Sequence, residues 1–454
     1  MAGTRSTGVK RKSRNHVQQD DSSSPTTAAR DGQTALALRI AKHLAPPPPC
    51  ATSDRSAAAG DGGGNVAFSP VSVHAALALA AAGARGATLA QLLNFLGAPS
   101  AEGLADFCRR VADLVLADRS GSGAGGPRVL FGGGIWVDAS RGGLTDTFRD
   151  VAAESYKADA RTVSFTKEPE EAVKMINEWV KKATDSLIDS VISVDDVDAA
   201  TDLVLANAVY FKGEWMDPFQ PTSTSTGTFN LLSGQQAEGK FMSKFEMLKV
   251  ACMDRFKVLE LPYKSFRSYS DTAKGEVNAS VWPDASEVTQ YSMFLFLPDA
   301  RDGIATMVDM ITASPAFMYS ILAEMKEYVD LKLPKFKITF NWATLKDTLC
   351  QMGLTLPFSP EAANLQGLCQ GDEGDGVPLQ PLFLTKVAHM AVVNVHEKGT
   401  EAAAVTFLPL RWWLSRTCCG VYRRPSIQFL HHGEAVRGDC VCRARSRSNK
   451  VINI

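Results

Sequence analysis

The chain has 454 residues, 45 % of them hydrophobic, which is enough for one large domain or two modest ones with a buried core. Its net charge is −1, but residues 1–14 hold five basic residues and no acidic one, and residues 411–454 hold nine basic against two acidic. The body between these ends is therefore acidic, which excludes long-range attraction to nucleic acid or to an anionic membrane except through the ends.

Cysteine usage and the N-terminal composition both bear on location. Nine cysteines are an odd number, and five of them are scattered singly, without the spacing of a disulfide framework. The N-terminus carries charges where a secretory signal would need an apolar run, and no apolar stretch of about 18 residues occurs. We therefore expect a reducing, intracellular and cytoplasmic location. The basic cluster at 10–14 is either a nuclear address or a solvated tail.

The first part of the chain is polar and then helical. Residues 1–32 are of low complexity, and we expect them to be disordered. Over residues 33–44, apolar side chains recur every fourth position, which predicts a helix with one apolar stripe: Leu36, Ile40 and Leu44. Prolines end this helix, and the Ala/Gly-rich linker that follows shows no usable pattern.

Residues 65–97 give the first informative patterns. Residues 65–73 favour a short apolar strand that ends at a proline, followed by a helix of small residues over 74–82. Such a helix can pass close beneath a sheet. The next helix is predicted over 88–96, with Thr88 as its N-terminal cap and Gly97 as its C-terminal stop.

From residue 203 onward, all the predicted elements are strands. Residues 203–211 form a nearly continuous apolar run, which predicts a strand buried on both faces. The other predicted strands are 129–137, 293–297, 329–333 and 336–340, and two further helices are predicted near 145–155 and 170–187. Because helices come early and strands late, without regular alternation, the predicted class is α+β.

The segment EKGTEAAAVT, residues 397–406, has an unusual distribution of side-chain size. Read as a strand, it places Thr400, Ala402, Ala404 and Thr406 on one face, so nothing bulky points inward. A segment that slides between strands of a formed sheet needs such a face, because a packed interior has no void for large side chains. Gly399 supplies a backbone hinge. An Ala-rich helical turn or a plain loop is the alternative.

Five segments, in this order, resemble the serpin family and specifically its plant branch. They are FSPVSVHAALALAAAGARGAT (68–88), INEWV (176–180), NAVYFKGEWMDPF (207–219), LPKFKITF (333–340) and HEKGTEAAAVT (396–406). The resemblance implies a large central sheet backed by helices, with an exposed reactive-centre loop. It also implies inhibition of serine proteases instead of catalysis: cleavage of the loop lets it insert as a new strand, which traps the protease.

The resemblance also assigns residues. The hinge that enters the sheet first is Glu397, Gly399, Thr400, Glu401, Ala402, Ala403, Ala404 and Thr406. The region where the sheet opens is Phe68, Ser69, Ser72, Asn207, Trp215 and His389. For His389, an ordinary hydrogen-bonded core histidine is the alternative, and the two interpretations are compatible.

The cleaved bond is less well defined. Its candidates are Leu410, Arg411, Trp412 and Trp413. Plant serpins usually carry a Leu-Arg pair before this bond, but here the pair lies about two residues closer to the hinge than the family pattern. Arg411 suits a trypsin-like protease and Trp413 a chymotrypsin-like one, and we favour Arg411. The expected partner is therefore one of these serine proteases, with a cysteine protease as a further option.

Residues 414–454 depart from the family, which ends in two strongly apolar core strands. Only 426–430 and 451–454 are apolar here, and several arginines separate them. Unpaired buried arginines would each cost several kcal/mol. We therefore expect a serpin-like domain over 33–413 followed by an atypical basic tail. Two alternatives stay open: a non-inhibitory or degenerate serpin, and an intracellular protein that binds partners through its basic ends.

No cofactor, metal or membrane attachment is expected, and nucleic-acid binding is a minor alternative. Residues 234–240 resemble a phosphate-binding loop until Phe241, where a hydroxyl would be needed for Mg²⁺. A zinc site in the tail would require irregular ligand spacing: Cys418, Cys419, His431, His432, Cys440 and Cys442.

Overall fold

The computed structural model describes residues 25–45, 65–116, 127–231, 235–264, 291–314, 317, 326–369 and 381–400, together with the backbone of 427–429. Its helices are α1 Pro25–Leu44, α2 Pro70–Gly83, α3 Gly86–Leu96, α4 Ala101–Leu114, α5 Asp146–Tyr156, α6 Pro169–Ala183, α7 Ile304–Thr312 and α8 Leu345–Gln351. Its strands are β1 Arg128–Asp138, β2 Ala158–Val163, β3 Leu203–Glu214, β4 Thr224–Asn230, β5 Gln236–Met253, β6 Phe256–Pro262, β7 Ser292–Pro298, β8 Lys326–Pro334, β9 Phe336–Asn341, β10 Lys386–His396, β11 Gly399–Thr400 and β12 Ile427–Phe429.

The strands form two sheets. The central sheet has the order β2-β1-β3-β11-β10-β9, and the second sheet has the order β12-β8-β5-β6-β7, with β4 paired to β5. Most neighbours in the central sheet are antiparallel, but β3 and β10 also pair directly with each other, and they run parallel. Together with the helices, these sheets confirm the predicted α+β class, a large sheet backed by helices.

Strand β3 lies between two helical layers, as its apolar run predicts. Leu203 and Leu205 pack in the cluster that includes α2, whereas Val204 and Ala206 pack in the cluster that includes α6. Successive side chains of a strand point to opposite faces, so both faces need apolar residues.

Helix α2 begins earlier than predicted, and the strand predicted over 65–73 is wrong. Ser69 caps the helix, its hydroxyl accepting a hydrogen bond from the Ser72 amide, and Pro70 occupies the first turn. Proline suits that position because the amide it lacks would have no partner there. Only Ser69 and the residues before it remain extended or irregular.

Two other helix boundaries differ from the predictions. The prediction of disorder over residues 25–32 is wrong, because α1 already starts at Pro25 and Ala29 is fully buried. Thr88 does not cap α3, which starts at Gly86; the Thr88 side chain is buried and its hydroxyl accepts from the Asn364 amide at 3.0 Å. The stop at Gly97 is confirmed by its left-handed backbone, with φ of 68°.

The remaining predicted elements are found with small shifts at their ends. Strands β1, β7, β8 and β9 and helices α5 and α6 each overlap the predicted ranges. Helices α4, α7 and α8 and strands β2, β4, β5, β6 and β10 were not predicted. In the tail, β12 pairs parallel with β8, and it lies within the apolar run 426–430.

Candidate functional site

The central sheet contains a slot between β3 and β10. Residues 204–209 of β3 pair directly with 386–391 of β10. Toward the C-terminal ends of these two strands they part, and β11 lies between them. Gly399 pairs with Glu214 and His396, and Thr400 pairs with Gly213 and Val395. Since β11 is antiparallel to both neighbours, the first hinge residues already form a short strand inside the sheet.

Two glycines make the slot narrow. A Cβ atom on Gly399 would lie 1.9 Å from the carbonyl oxygen of Gly213 and 2.8 Å from the Cα of Glu214. A Cβ atom on Gly213 would lie 2.7 Å from the ring of Tyr263. The hinge therefore approaches β3 more closely than any residue with a side chain could.

The Thr400 side chain is anchored by Tyr263. The two hydroxyl oxygens are 2.6 Å apart, and both residues are only 4 % exposed. The Tyr263 ring stacks on Trp215, with centroids 4.6 Å apart and an interplanar angle of 15°, and it meets Phe211 edge-on at 4.9 Å. Burial raises the pKa of Tyr263 despite this hydrogen bond, so the phenol remains protonated.

The entrance to the slot is held by further hydrogen bonds. The Trp215 indole donates to the His396 carbonyl at 3.0 Å. The Glu397 carboxylate pairs with Lys335 at 2.7 Å and accepts from the Thr224 hydroxyl at 2.8 Å. Partial burial raises the pKa of Glu397, but the donors around it outweigh this effect and hold the pKa below its ordinary value. Glu397 is therefore ionised and fixed at neutral pH.

A buried polar cluster lies under the closed part of the sheet, where β3 and β10 pair. It consists of Ser69, Ser72, Asn207 and His389. The Ser69 amide donates to Nε2 of His389 at 3.1 Å, so the ring proton is on Nδ1 and is donated to Oδ1 of Asn207 at 2.5 Å. The Ser72 hydroxyl lies 3.1 Å from the same Asn207 oxygen. Burial lowers the pKa of His389 to about 4, which keeps the ring neutral.

An aromatic contact and an unpaired donor lie at this cluster. Phe68 meets Trp342 edge-on at 5.6 Å, and Trp342 in turn lies 6.3 Å from His389. Nδ2 of Asn207 is buried and has no hydrogen-bond partner among the described residues. A buried unpaired donor is costly, which makes it a position where an additional acceptor would be stabilising.

The structure separates the predicted site residues into two groups. Phe68, Ser69, Ser72, Asn207 and His389 meet at the buried polar cluster, whereas Trp215, Glu397, Gly399 and Thr400 meet at the slot. The other hinge residues, from Glu401 to Thr406, and the bond candidates Leu410, Arg411, Trp412 and Trp413 lie outside the described residues.

Sequence reasoning missed four residues of the slot: Gly213, Thr224, Tyr263 and Lys335. The first three carried no local signal. Lys335 lies between two predicted strands, and a carboxylate at Glu397 could have suggested a cationic partner.

The described part of the chain gives two negative findings. It contains no group of three or more His, Cys, Asp or Glu side chains arranged to hold a metal ion. None of its helices combines the length and apolar composition that a membrane span requires. The groups gathered at the slot are backbone amides and carbonyls, a phenol and a threonine, and they suit the binding of a strand.

Comparison with known proteins identifies relatives along most of the chain. Residues 54–423 match the family model described as serpin (serine protease inhibitor). The chain is 42 % identical over 378 residues to putative serpin-Z5 of Oryza sativa subsp. japonica, which covers 82 % of this chain and 78 % of the relative. It is 41 % identical over 376 residues to serpin-ZXA of the same plant, and this match covers 82 % of this chain and 86 % of the relative. The structure of Arabidopsis AtSerpin1 in its native stressed conformation superposes on this chain with a TM-score of 0.68 at 32 % sequence identity. The superposition covers 83 % of this chain and 86 % of AtSerpin1.

Proposed function

The chain belongs to the serpin family, and we propose that it inhibits a serine protease by loop cleavage and insertion. Members of this family are generally protease inhibitors. In the proposed reaction, the protease serine attacks the carbonyl carbon of the bait residue and the peptide bond breaks. The protease stays attached as an ester while the cleaved loop enters the central sheet.

The observation that carries the proposal is the slot with its hinge already seated. Directly below it, β3 and β10 pair in parallel, and parallel pairing is slightly less stable per residue than antiparallel pairing. A strand that continued from Thr400 would run antiparallel to both. Insertion would therefore replace one parallel ladder by two antiparallel ladders, which supplies a driving force for the reaction.

The register of β11 predicts where each loop residue would arrive. Continuing it downward brings Thr406 opposite both Asn207 and His389, which now pair with each other. Insertion would thus separate the buried polar cluster and offer the Thr406 hydroxyl near the unpartnered Nδ2 of Asn207. We propose this cluster as the part of the sheet that must open, with its hydrogen bonds holding the sheet closed until cleavage.

The inward side chains of the loop match the surface they would cover. In an inserted strand, Ala402 and Ala404 would share the face of Thr400, which lies opposite Gly213 and on the side of the sheet where Leu203, Leu205 and α2 pack together. Half of the 14 residues of α2 are buried alanine, serine or glycine. Small side chains on both surfaces allow insertion without a void or an overlap.

The same register favours Arg411 as the bait residue. It brings Leu410 opposite Leu203, the first residue of β3, so a loop cut after Arg411 would span the full strand. A cut after Trp413 would leave two more residues beyond the sheet. We therefore propose a trypsin-like protease as the main target, with a chymotrypsin-like protease as the alternative that Trp413 would serve.

The tail favours a second candidate, a non-inhibitory or degenerate serpin that is cleaved without trapping the protease. Between the apolar runs 426–430 and 451–454 it carries four arginines, where the family has core strands: Arg437, Arg443, Arg445 and Arg447. Loss of those strands would reduce the stability difference that drives insertion.

Mixing the purified chain with trypsin and with chymotrypsin tests the two functions. An inhibitor gives an adduct that survives SDS, and mass spectrometry of the released peptide identifies the bond. Arg411→Ala should abolish the trypsin adduct and leave any chymotrypsin adduct at Trp413 unchanged. Cleavage by both proteases without an adduct would exclude inhibition and favour the degenerate serpin.

A further inference from the structure

We propose that Tyr263 is a positioning residue for loop insertion: its hydroxyl holds Thr400 inside the slot before any bond is cleaved. The inhibitory consequence rests on the proposed function, whereas the anchoring itself does not. Insertion would then start from a hinge that is already seated, and its first step would be the extension of an existing strand.

The position of Tyr263 is fixed independently of the hinge. It follows β6 in the second sheet and forms a β-bridge with Trp215. The Tyr263 amide donates to the Tyr291 carbonyl at 3.0 Å, and the ring is held between Trp215 and Phe211. The phenol therefore projects from a rigid base onto Thr400. A mobile tyrosine that happened to meet the hinge would lack these constraints.

The hinge is shaped to receive this contact. Gly213 leaves room for the Tyr263 ring, and Gly399 leaves room for the backbone of β3, so Thr400 reaches the phenol only because both neighbours lack a side chain. Thr400 is also the first hinge residue with a hydroxyl. A valine of the same shape would keep the buried methyl group, replace the hydroxyl by a second methyl group and lose the hydrogen bond.

The anchor affects the competition that decides whether a protease is trapped. After cleavage, the protease ester is lost by hydrolysis unless insertion is faster. A hinge that has left the slot must re-enter before the strand can extend, and ordering it again costs conformational entropy. Weakening the anchor should therefore raise the number of inhibitor molecules consumed per protease molecule.

Hydrogen–deuterium exchange of the backbone amides at 399 and 400 tests the anchor directly. Tyr263→Phe and Thr400→Val should each speed exchange by about fivefold, the effect of losing one hydrogen bond, and the double variant should show little more. Thr400→Ser should exchange like the wild type. Tyr291→Phe is the matched control, because its hydroxyl donates to the Val115 carbonyl at 2.7 Å, away from the hinge.

A second measurement separates this proposal from the proposed function. With trypsin, Tyr263→Phe and Thr400→Val should raise the stoichiometry of inhibition about twofold or more, while Thr400→Ser restores the wild-type value. If the wild type forms no adduct but the exchange results hold, the anchor stands and the inhibitory function fails. Unchanged exchange in both Tyr263→Phe and Thr400→Val would overturn the anchor, whether or not an adduct forms.

Discussion

Replacing Gly399 by alanine should expel the hinge from the slot. The added Cβ would lie 1.9 Å from the Gly213 carbonyl oxygen and 2.8 Å from the Cα of Glu214. These atoms belong to the backbone of β3, so no side-chain rotation can relieve the overlap. Either the strand or the hinge must move, and the hinge is attached by far fewer contacts.

The size of the effect follows from what anchors the hinge. Counting one backbone hydrogen bond for the pairing with β3, one for the pairing with β10 and the Tyr263–Thr400 hydrogen bond, at about 1 kcal/mol each, gives an anchor of about 3 kcal/mol. Losing all of it would lower the seated population roughly a hundredfold relative to the free hinge. The slot would then be empty in a substantial fraction of molecules.

A labelled peptide with the sequence of residues 400–408 can report the empty slot. Its binding rate, followed by fluorescence anisotropy, should rise with the fraction of vacant slots, to a limit of about a hundredfold for Gly399→Ala. Gly143→Ala is the matched control, because a Cβ there would meet nothing within 4 Å. A binding rate for Gly399→Ala equal to that of the wild type and of Gly143→Ala would refute the close approach of the hinge to β3.

Three further predictions concern the entrance, the buried histidines and the loop. Glu397→Gln should lower the free energy of unfolding in urea by about 1 kcal/mol, and most of this loss should disappear in a Lys335→Ala background. Below pH 6.5 the imidazoles of His74 and His389 become protonated in the unfolded chain. In the folded chain they stay neutral, because burial lowers the pKa of each to about 4. Stability should therefore fall as the pH drops from about 6.5 to 4, by about 3 kcal/mol per histidine, and His389→Gln should remove roughly half of that slope. Ala402→Arg should convert an inhibitor into a substrate, since a long charged side chain would obstruct insertion beside α2; an unchanged adduct yield would contradict this.

The elements that the sequence predicted well are those whose signal is local. The apolar run of β3 is continuous because helices cover both of its faces, and Gly97 marks the end of α3 because only a left-handed residue closes it there. Strand β10 was not predicted, because its apolar pattern is not continuous. His389 and Asn394 interrupt its apolar pattern, and His389 serves the buried polar cluster instead of the core.

The slot depends on contacts that no local pattern reports. Tyr263 and Thr400 are 137 residues apart in the chain, and Gly213 and Gly399 meet only after β3 and β11 have paired. The resemblance to the family assigned a hinge and a sheet-opening region to these residues, but it did not reveal that Gly399 and Thr400 pair between β3 and β10. The roles assigned to all the hinge residues and to the sheet-opening region, and the effect of the tail, remain predictions.

Helix α2 has a consequence for how the sequence can vary. Eleven of its 14 residues are buried, so it has hardly any solvent face on which substitutions would be neutral. Enlarging its alanines would overpack the core at about 1–3 kcal/mol, and reducing them to glycine would cost about 1 kcal/mol in helix propensity. If β3 and β10 separate during insertion as proposed, these small side chains would interlock little with the moving strands. Because most substitutions in α2 would be destabilising, and larger side chains would also hinder strand movement, we expect this helix to be among the least variable segments of the chain.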